Sequence, residues 1–261
     1  VPDICPRERE FGDLMLRVSE KLVKVAHGEK EYHAVMFGGS GTAAVEACIS
    51  SVVPREKKML IIDNGAYGRR MTDIAHIHDI DTVLYSIPSG TYPILSEVEE
   101  LLKKHQGYIS HLAMVHHETT TGMLNPLKDT IALAGKYGVE VIVDAMSSFA
   151  GIPIDLNSMK PHYLISSSNK CLQGMPGISF VICKKTSLNA LSTTPPRSLY
   201  LNLYQQHTHL QEKKQLPFTP PVQTFYALEK ALDEYFLETE KKHFCRYKEN
   251  YLSLFKGLSE L

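Results

Sequence analysis

The sequence predicts a three-layer αβα protein built on a mostly parallel sheet. Short apolar runs rich in Val, Ile and Leu alternate with longer segments whose apolar residues recur at helical spacing, the pattern of consecutive strand–helix units. The strand-type runs end in Gly, Ser, Asn, His or Asp clusters, the place where parallel α/β sheets put their ligands. The 261 residues, 43% hydrophobic, suffice for one large α/β domain or two small ones with a core that needs no staples.

In chain order, Leu14, Val18, Leu22 and Val25 mark a helix over 11–26. Ala34–Phe37 reads as a strand, broken by Gly38-Gly-Ser-Gly-Thr42 and resumed as a helix over 43–52. A strand at 58–63 ends at Asn64-Gly-Ala-Tyr-Gly68, followed by a helix over 69–78 and a strand over 81–87. Further helices are expected at 95–105 and 127–137, and strands at 111–115, 141–143 and 163–165. Ile178–Cys183 adds a strand whose short connection through Gly174–Gly177 predicts an antiparallel direction. Pro-rich breaks at 193–196 and 216–221 precede two long helices, 224–241 and 244–261.

Composition excludes several function classes. Lys+Arg 28 against Asp+Glu 29 leaves a net charge of -1, so nothing points to nucleic acid or an anionic membrane. No apolar run approaches the roughly 18 residues of a membrane span. The first residues, Val1-Pro-Asp-Ile-Cys-Pro-Arg-Glu, show no signal pattern. Five scattered cysteines suit reduced thiols, hence a cytoplasmic protein, with an organellar matrix as the other compartment of that kind. No metal site is expected: CxxC and HExxH spacings are absent, and the adjacent His116 and His117 point apart without a third ligand.

The chemistry concentrates at strand ends. Asp144 closes the run 141–143, and Lys170 follows 163–165, so a carboxylate and an amine would hang over one crevice. That pair is what pyridoxal phosphate needs: a lysine for the Schiff base, and an acid that keeps the pyridine nitrogen protonated so the ring accepts electrons. Taken singly, each also reads as a helix cap or a solvated charge. Gly38–Thr42 between strand and helix is a phosphate-cradle pattern, with hydroxyls from Ser40 and Thr42, although Gly-rich strand–helix turns are common without a ligand. Tyr67 past the next strand offers an aromatic face, or a turn tyrosine. His116-His-Glu-Thr-Thr-Thr-Gly122 adds hydroxyls on the same rim. Convergence of these groups on one edge favours the functional reading.

Gly39-Ser-Gly-Thr42, Asn64-Gly-Ala-Tyr-Gly68, the run Met114–Pro126, Val143-Asp-Ala-Met-Ser-Ser-Phe149 and Ser168-Asn-Lys-Cys-Leu-Gln-Gly174 resemble 2-aminoethylphosphonate–pyruvate transaminases. These are class V, fold-type I pyridoxal-phosphate aminotransferases, and the likeness runs along nearly the whole chain. The resemblance implies the fold-type I large domain over 1–222, with 223–261 a helical segment leading towards a C-terminal domain. It implies Lys170 as imine lysine and acid/base, Asp144 as partner of the pyridinium nitrogen and Tyr67 as the stacking aromatic. Ser40, Gly41 and Thr42 match the phosphate cup, Asn169 a phosphate-binding amide and Thr119 a hydroxyl near the ring oxygen. Thr219 matches a threonine that reaches the phosphate from a neighbouring subunit, hence a homodimer with shared sites. The implied substrates are 2-aminoethylphosphonate and pyruvate, giving phosphonoacetaldehyde and alanine.

The resembling chains are longer at both ends. A Thr-Pro-Gly-Pro segment bordering the substrate pocket has no counterpart before Val1, and the C-terminal domain that carries the carboxylate-gripping arginine would begin near Leu261. Arg69, Arg70, Arg197 and Arg246 fall outside that arginine's motif, so none is assigned to substrate. Two other readings share the same residues: another class V aminotransferase acting on serine, alanine or glyoxylate, and a truncated relative that keeps the cofactor without turnover.

Overall fold

Strand-type runs form strands and apolar stripes form helices, in the alternation that builds a layered sheet. The computed structural model describes residues 4–260, so Val1–Asp3 and the end of the expected last helix, Leu261, lie outside the described residues. Helix α1 (Arg9–Val25) precedes β1 (Tyr32–Gly38), α2 (Gly41–Val52), β2 (Lys58–Asp63), α3 (Ala66–Ile77), β3 (Thr82–Ser86), α4 (Leu95–Lys104) and β4 (Ile109–Val115). A hairpin of β5 (His117–Glu118) and β6 (Met123–Leu124) interrupts the alternation. Then come α5 (Leu127–Lys136), β7 (Glu140–Asp144), α6 (Leu156–Met159), β8 (Tyr163–Ser167) and β9 (Ile178–Lys184). The chain continues with α7 (Lys185–Ala190), α8 (Leu203–Lys213), α9 (Val222–Glu238) and α10 (Glu240–Ser259).

Seven strands form one sheet in the order β1-β9-β8-β7-β4-β2-β3. All neighbours are parallel except at β9, which runs antiparallel to both β1 and β8, as the short Gly174–Gly177 connection requires. A mostly parallel sheet must be covered on both faces, and two apolar clusters do so. One packs α1, α4, α5 and α9 against one face; the other packs α2, α3 and α7 against the opposite face, and α8 contributes Leu210 to the first and Leu203 to the second.

Several features differ from the sequence expectation. Helix α2 starts at Gly41 rather than 43, and α3 at Ala66 rather than 69, because glycine is tolerated in a first turn where tertiary contacts hold it. Helix α8 has no counterpart in the expected elements: only Leu203, Gln206 and Leu210 are buried, and a polar residue within the stripe hides the period. The break between the last two helices falls at Thr239, where φ is 72°, rather than near 242–243.

Helix α9 buries Phe225, Leu228 and Leu232 in the same cluster as α1, and Phe11 meets Phe225 edge-on at 5.6 Å. Each such side chain contributes about 1.5–3 kcal/mol. Arg17 and Lys21 on α1 pair with Glu229 on α9, and Lys21 also with Asp233. Helix α9 is thus packed as part of the sheet-bearing body, whereas α10 exposes Tyr251, Leu252, Leu254, Phe255 and Leu258.

Candidate active site

The strand order decides what meets what. Strands β7 and β8 are parallel neighbours in which Asp144 pairs with Ile165, so the last residue of β7 lies beside the exit of β8 and the loop carrying Lys170. Asp144 and Lys170 consequently open into the same cleft, a cavity of about 230 Å³ that Ser40, Gly41, Thr42, Tyr67 and Asn169 also line. Seven residues marked in the sequence therefore share one cavity. Val45, Arg70, Met146, Ser167, Pro176 and Gly177 complete its wall. Those six were not singled out in the sequence as site residues: their side chains carry no motif of their own, although Arg70 lies one helical turn beyond Tyr67, which is a usable signal.

The turn into α2 is shaped for an anion. Gly39 sits at φ 146°, a conformation that favours glycine, and its N–H donates to the Gly177 carbonyl at 2.9 Å. Ser40 occupies the N-cap position yet makes no side-chain cap, so the hydroxyl and the first-turn N–H groups of Gly41 and Thr42 face the cleft at the positive end of a 12-residue helix.

The lysine loop is tightly closed. Ser168 N–H donates to Ile178 O at 3.0 Å, Gly174 N–H to Ser168 O at 2.9 Å and Gln173 N–H to Lys170 O at 2.9 Å, while Ser168 Oγ donates to the Met175 carbonyl. Asn169 Oδ1 accepts the Ser167 hydroxyl at 3.0 Å. At the end of the neighbouring strand, Asp144 is 4% exposed and its Oδ1 accepts the Met146 N–H at 2.9 Å. Burial pushes its carboxyl up to about 6; the Met146 hydrogen bond opposes this, the nearby Glu118 carboxylate adds to it, and Arg70 and Lys170 pull it back. A buried acid with spare acceptor capacity in a cleft is suited to hold a proton on a ring nitrogen.

Tyr67 lies in the first turn of α3, where its ring forms one wall and carries the Arg70 guanidinium at 4.7 Å. Thr119 does not line the cavity: its hydroxyl donates to Ser147 Oγ at 2.9 Å on the exposed hairpin rim. Thr219 lies with Pro6, Arg7 and Phe218 in a separate shallow depression. His116 and His117 tie β4 to the turn after Asp144 through Ser148 and Ser147, each at 2.9 Å. Burial holds His116 down to about 4, so it serves as a neutral structural ring. Arg197 donates through Nη1 to Ser50 O at 3.2 Å and Val53 O at 2.7 Å, away from the cleft. Among the described residues no group of His, Cys, Asp and Glu is arranged to hold a metal ion.

The sequence profile of the aminotransferase class-V family matches residues 6–256. The 2-aminoethylphosphonate–pyruvate transaminase of Bacillus cytotoxicus is 41% identical over 264 residues, covering 99% of this chain and 71% of that protein. The chain belongs to the class-V aminotransferases. The enzyme of the same description from Vibrio vulnificus strain CMCP6 is 42% identical over 263 residues, covering 99% of this chain and 71% of that protein. The crystal structure of alanine–glyoxylate aminotransferase from Nostoc sp. superposes with a TM-score of 0.93 at 27% identity, over 100% of this chain and 69% of that one. As a class-V aminotransferase the protein uses pyridoxal 5'-phosphate, and the cleft suits that group. The cleft brings together an uncapped helix N-terminus, a buried carboxylate and a lysine amine, the three kinds of group that its phosphate, ring nitrogen and aldehyde would need.

Proposed function

We propose that this chain transfers the amino group of 2-aminoethylphosphonate to pyruvate, giving phosphonoacetaldehyde and alanine. The reading is supported by relatives of that description at 41% and 42% identity over 99% of the chain. The observation that carries the site assignment is the delivery of Asp144 and Lys170 by adjacent parallel strands into one cavity. When bound, pyridoxal phosphate supplies an aldehyde that captures amines and a ring that takes up electrons from the reacting carbon.

The chain's residues then divide the work. Ser40, Gly41, Thr42 and Asn169 bind the phosphate, with the α2 N-terminus adding its dipole. Tyr67 orients the ring from one face, and Thr119 contributes a hydroxyl from the rim. Asp144 keeps the proton on the ring nitrogen, where a carboxylate raised by burial is a strong partner. Lys170 would hold the aldehyde through its Nζ and, once displaced by the donor amine, would act as the acid/base that moves the proton from the substrate carbon to the cofactor carbon. Met146, Pro176 and Tyr67 give the cleft its apolar surface.

In this reading the cofactor-binding body is the large domain over 1–222, to which α9 is packed, and α10 leads on towards a further domain. The working form is a homodimer in which Thr219 serves the partner's site. No helix is long and apolar enough to cross a membrane among the described residues, and five free cysteines suit a reducing cytoplasm.

Borohydride reduction of the protein incubated with pyridoxal phosphate, followed by peptide mass mapping, is expected to label the peptide containing Lys170. A label on any other lysine overturns the assignment. Alanine formation from pyruvate should be faster with 2-aminoethylphosphonate than alanine or serine turnover with glyoxylate; the opposite ranking would favour the alanine–glyoxylate type represented by the Nostoc sp. structure.

A further inference from the structure

Helix α3 begins without a local cap. Its N-cap residue is Gly65, which has no side chain to offer, and the first-turn N–H groups of any helix lack intrahelical partners. The missing acceptor comes from 51 residues away: Glu118 Oε2 accepts the Tyr67 N–H at 3.2 Å. The other oxygen, Oε1, accepts the Thr120 N–H at 3.3 Å and the Thr120 hydroxyl at 2.7 Å. Glu118 is 0% exposed, so its charge is held by backbone and hydroxyl donors and by the helix dipole.

The approach is built in. A Cβ on Gly65 would lie 2.4 Å from both Glu118 Cγ and Cδ, so only glycine leaves room for the carboxylate. Gly65 has φ 177°, an extended conformation open to any residue, which makes space rather than backbone freedom the reason for glycine there. The first turn held this way carries Tyr67, whose ring lines the cleft, with Arg70 stacked on it one turn later.

We infer that Glu118 is a positioning residue for the cofactor: its buried carboxylate fixes the start of α3 and thereby the Tyr67 ring against which the pyridine ring lies. This rests on the cofactor reading of the cleft given above. The same carboxylate also adds negative potential at Asp144, second to burial among the influences that raise that acid. A glutamine cannot replace it, because one of its two terminal atoms is a donor and would face either the Tyr67 N–H or the Thr120 donors.

The test is titration of the cofactor-free protein with pyridoxal 5'-phosphate, read by absorbance and by visible circular dichroism. E118Q should weaken the dissociation constant about tenfold and diminish the dichroic band, the loss of one charge-assisted hydrogen bond. T120V, on an exposed residue and so safe for folding, should weaken it by about threefold, since it removes the Thr120 hydroxyl, one of the three donors, and keeps the Thr120 N–H. A dissociation constant within twofold of the parent in E118Q, with an unchanged band, overturns the inference. If E118Q does not fold, parental affinity in T120V overturns it. A parent protein that takes up no pyridoxal phosphate refutes the cofactor reading itself, a distinct result.

Discussion

Gly41 and Met146 face each other across the mouth of α2 so closely that a Cβ on Gly41 would lie 2.4 Å from Met146 Sδ and 2.5 Å from its Cε. The glycine of the anion turn therefore answers to packing as well as to the approach of a phosphate. G41A is expected to push the flexible Met146 side chain into the cleft and weaken pyridoxal-phosphate binding by about tenfold. M146A alone should bind near parental strength, and G41A/M146A should recover most of the loss. A double variant as weak as G41A would show that the turn's backbone, rather than Met146, is at fault.

A second prediction follows from the buried acid. The folded carboxyl of Asp144 titrates at about 6, above its ordinary 3.8, so between these values the cofactor-free fold holds a proton that the unfolded chain has released. Its stabilising contribution is present below pH 4 and is lost as pH rises through 6. D144N should remove that slope, making the cofactor-free protein more stable than its parent by about 1–3 kcal/mol at pH 8, while the two match near pH 4. His116, held down to about 4, slopes the opposite way, but both proteins share it and it cancels in the difference. Turnover should fall by roughly 10²-fold or more in the same variant. Denaturant titrations across pH check the first half, and near-parental turnover would contradict the second.

These two residues also show how far the sequence could be read. Asp144 and Lys170 were legible because one ends a strand-type run and the other closely follows the next, and parallel sheets gather such ends on one edge. Gly41 was legible as part of a glycine-rich turn, but its contact with Met146 was not, since nothing in the Asp-Ala-Met run announces that Met146 folds back across the cleft. Glu118 was hidden for the same reason: its partner at Tyr67 is 51 residues distant and joins it only once β2 and β4 pair. Helix α8 escaped because its buried face includes Gln206, and α9 was placed past the body because a Pro-rich break precedes it, although its apolar face packs on α1. Local pattern reveals elements and strand-end chemistry; tertiary pairing supplies the supports.

Arg197 gives a third prediction, separating structural arginines from substrate-binding ones. Its guanidinium caps the C-terminal end of α2 through Ser50 O and Val53 O, where carbonyls lack helical partners and a cation suits the dipole. R197A should lower stability by about 1–2 kcal/mol while leaving the KM for pyruvate unchanged. A large rise in that KM with an unchanged Tm would instead place Arg197 at the carboxylate.

The last prediction concerns Thr219. It lies in a depression formed with Pro6, Arg7, Gln215, Leu216, Phe218 and Pro220, none of which lines its own chain's cleft. If it reaches a phosphate, it must be that of a second copy, so T219V should weaken pyridoxal-phosphate binding by about threefold to tenfold, the worth of one hydrogen bond to a charged group. Light scattering should show a dimer for both T219V and its parent. Mixing T219V with K170A supplies the decisive measurement. In a shared-site dimer, one of the mixed dimer's sites combines the Lys170-deficient cleft with the altered threonine, and the other is intact. Mixing should therefore create active sites that bind cofactor at parental strength, which T219V alone does not contain. Parental affinity in T219V, or a monomer at working concentration, would remove Thr219 from the site and leave each cleft to its own chain.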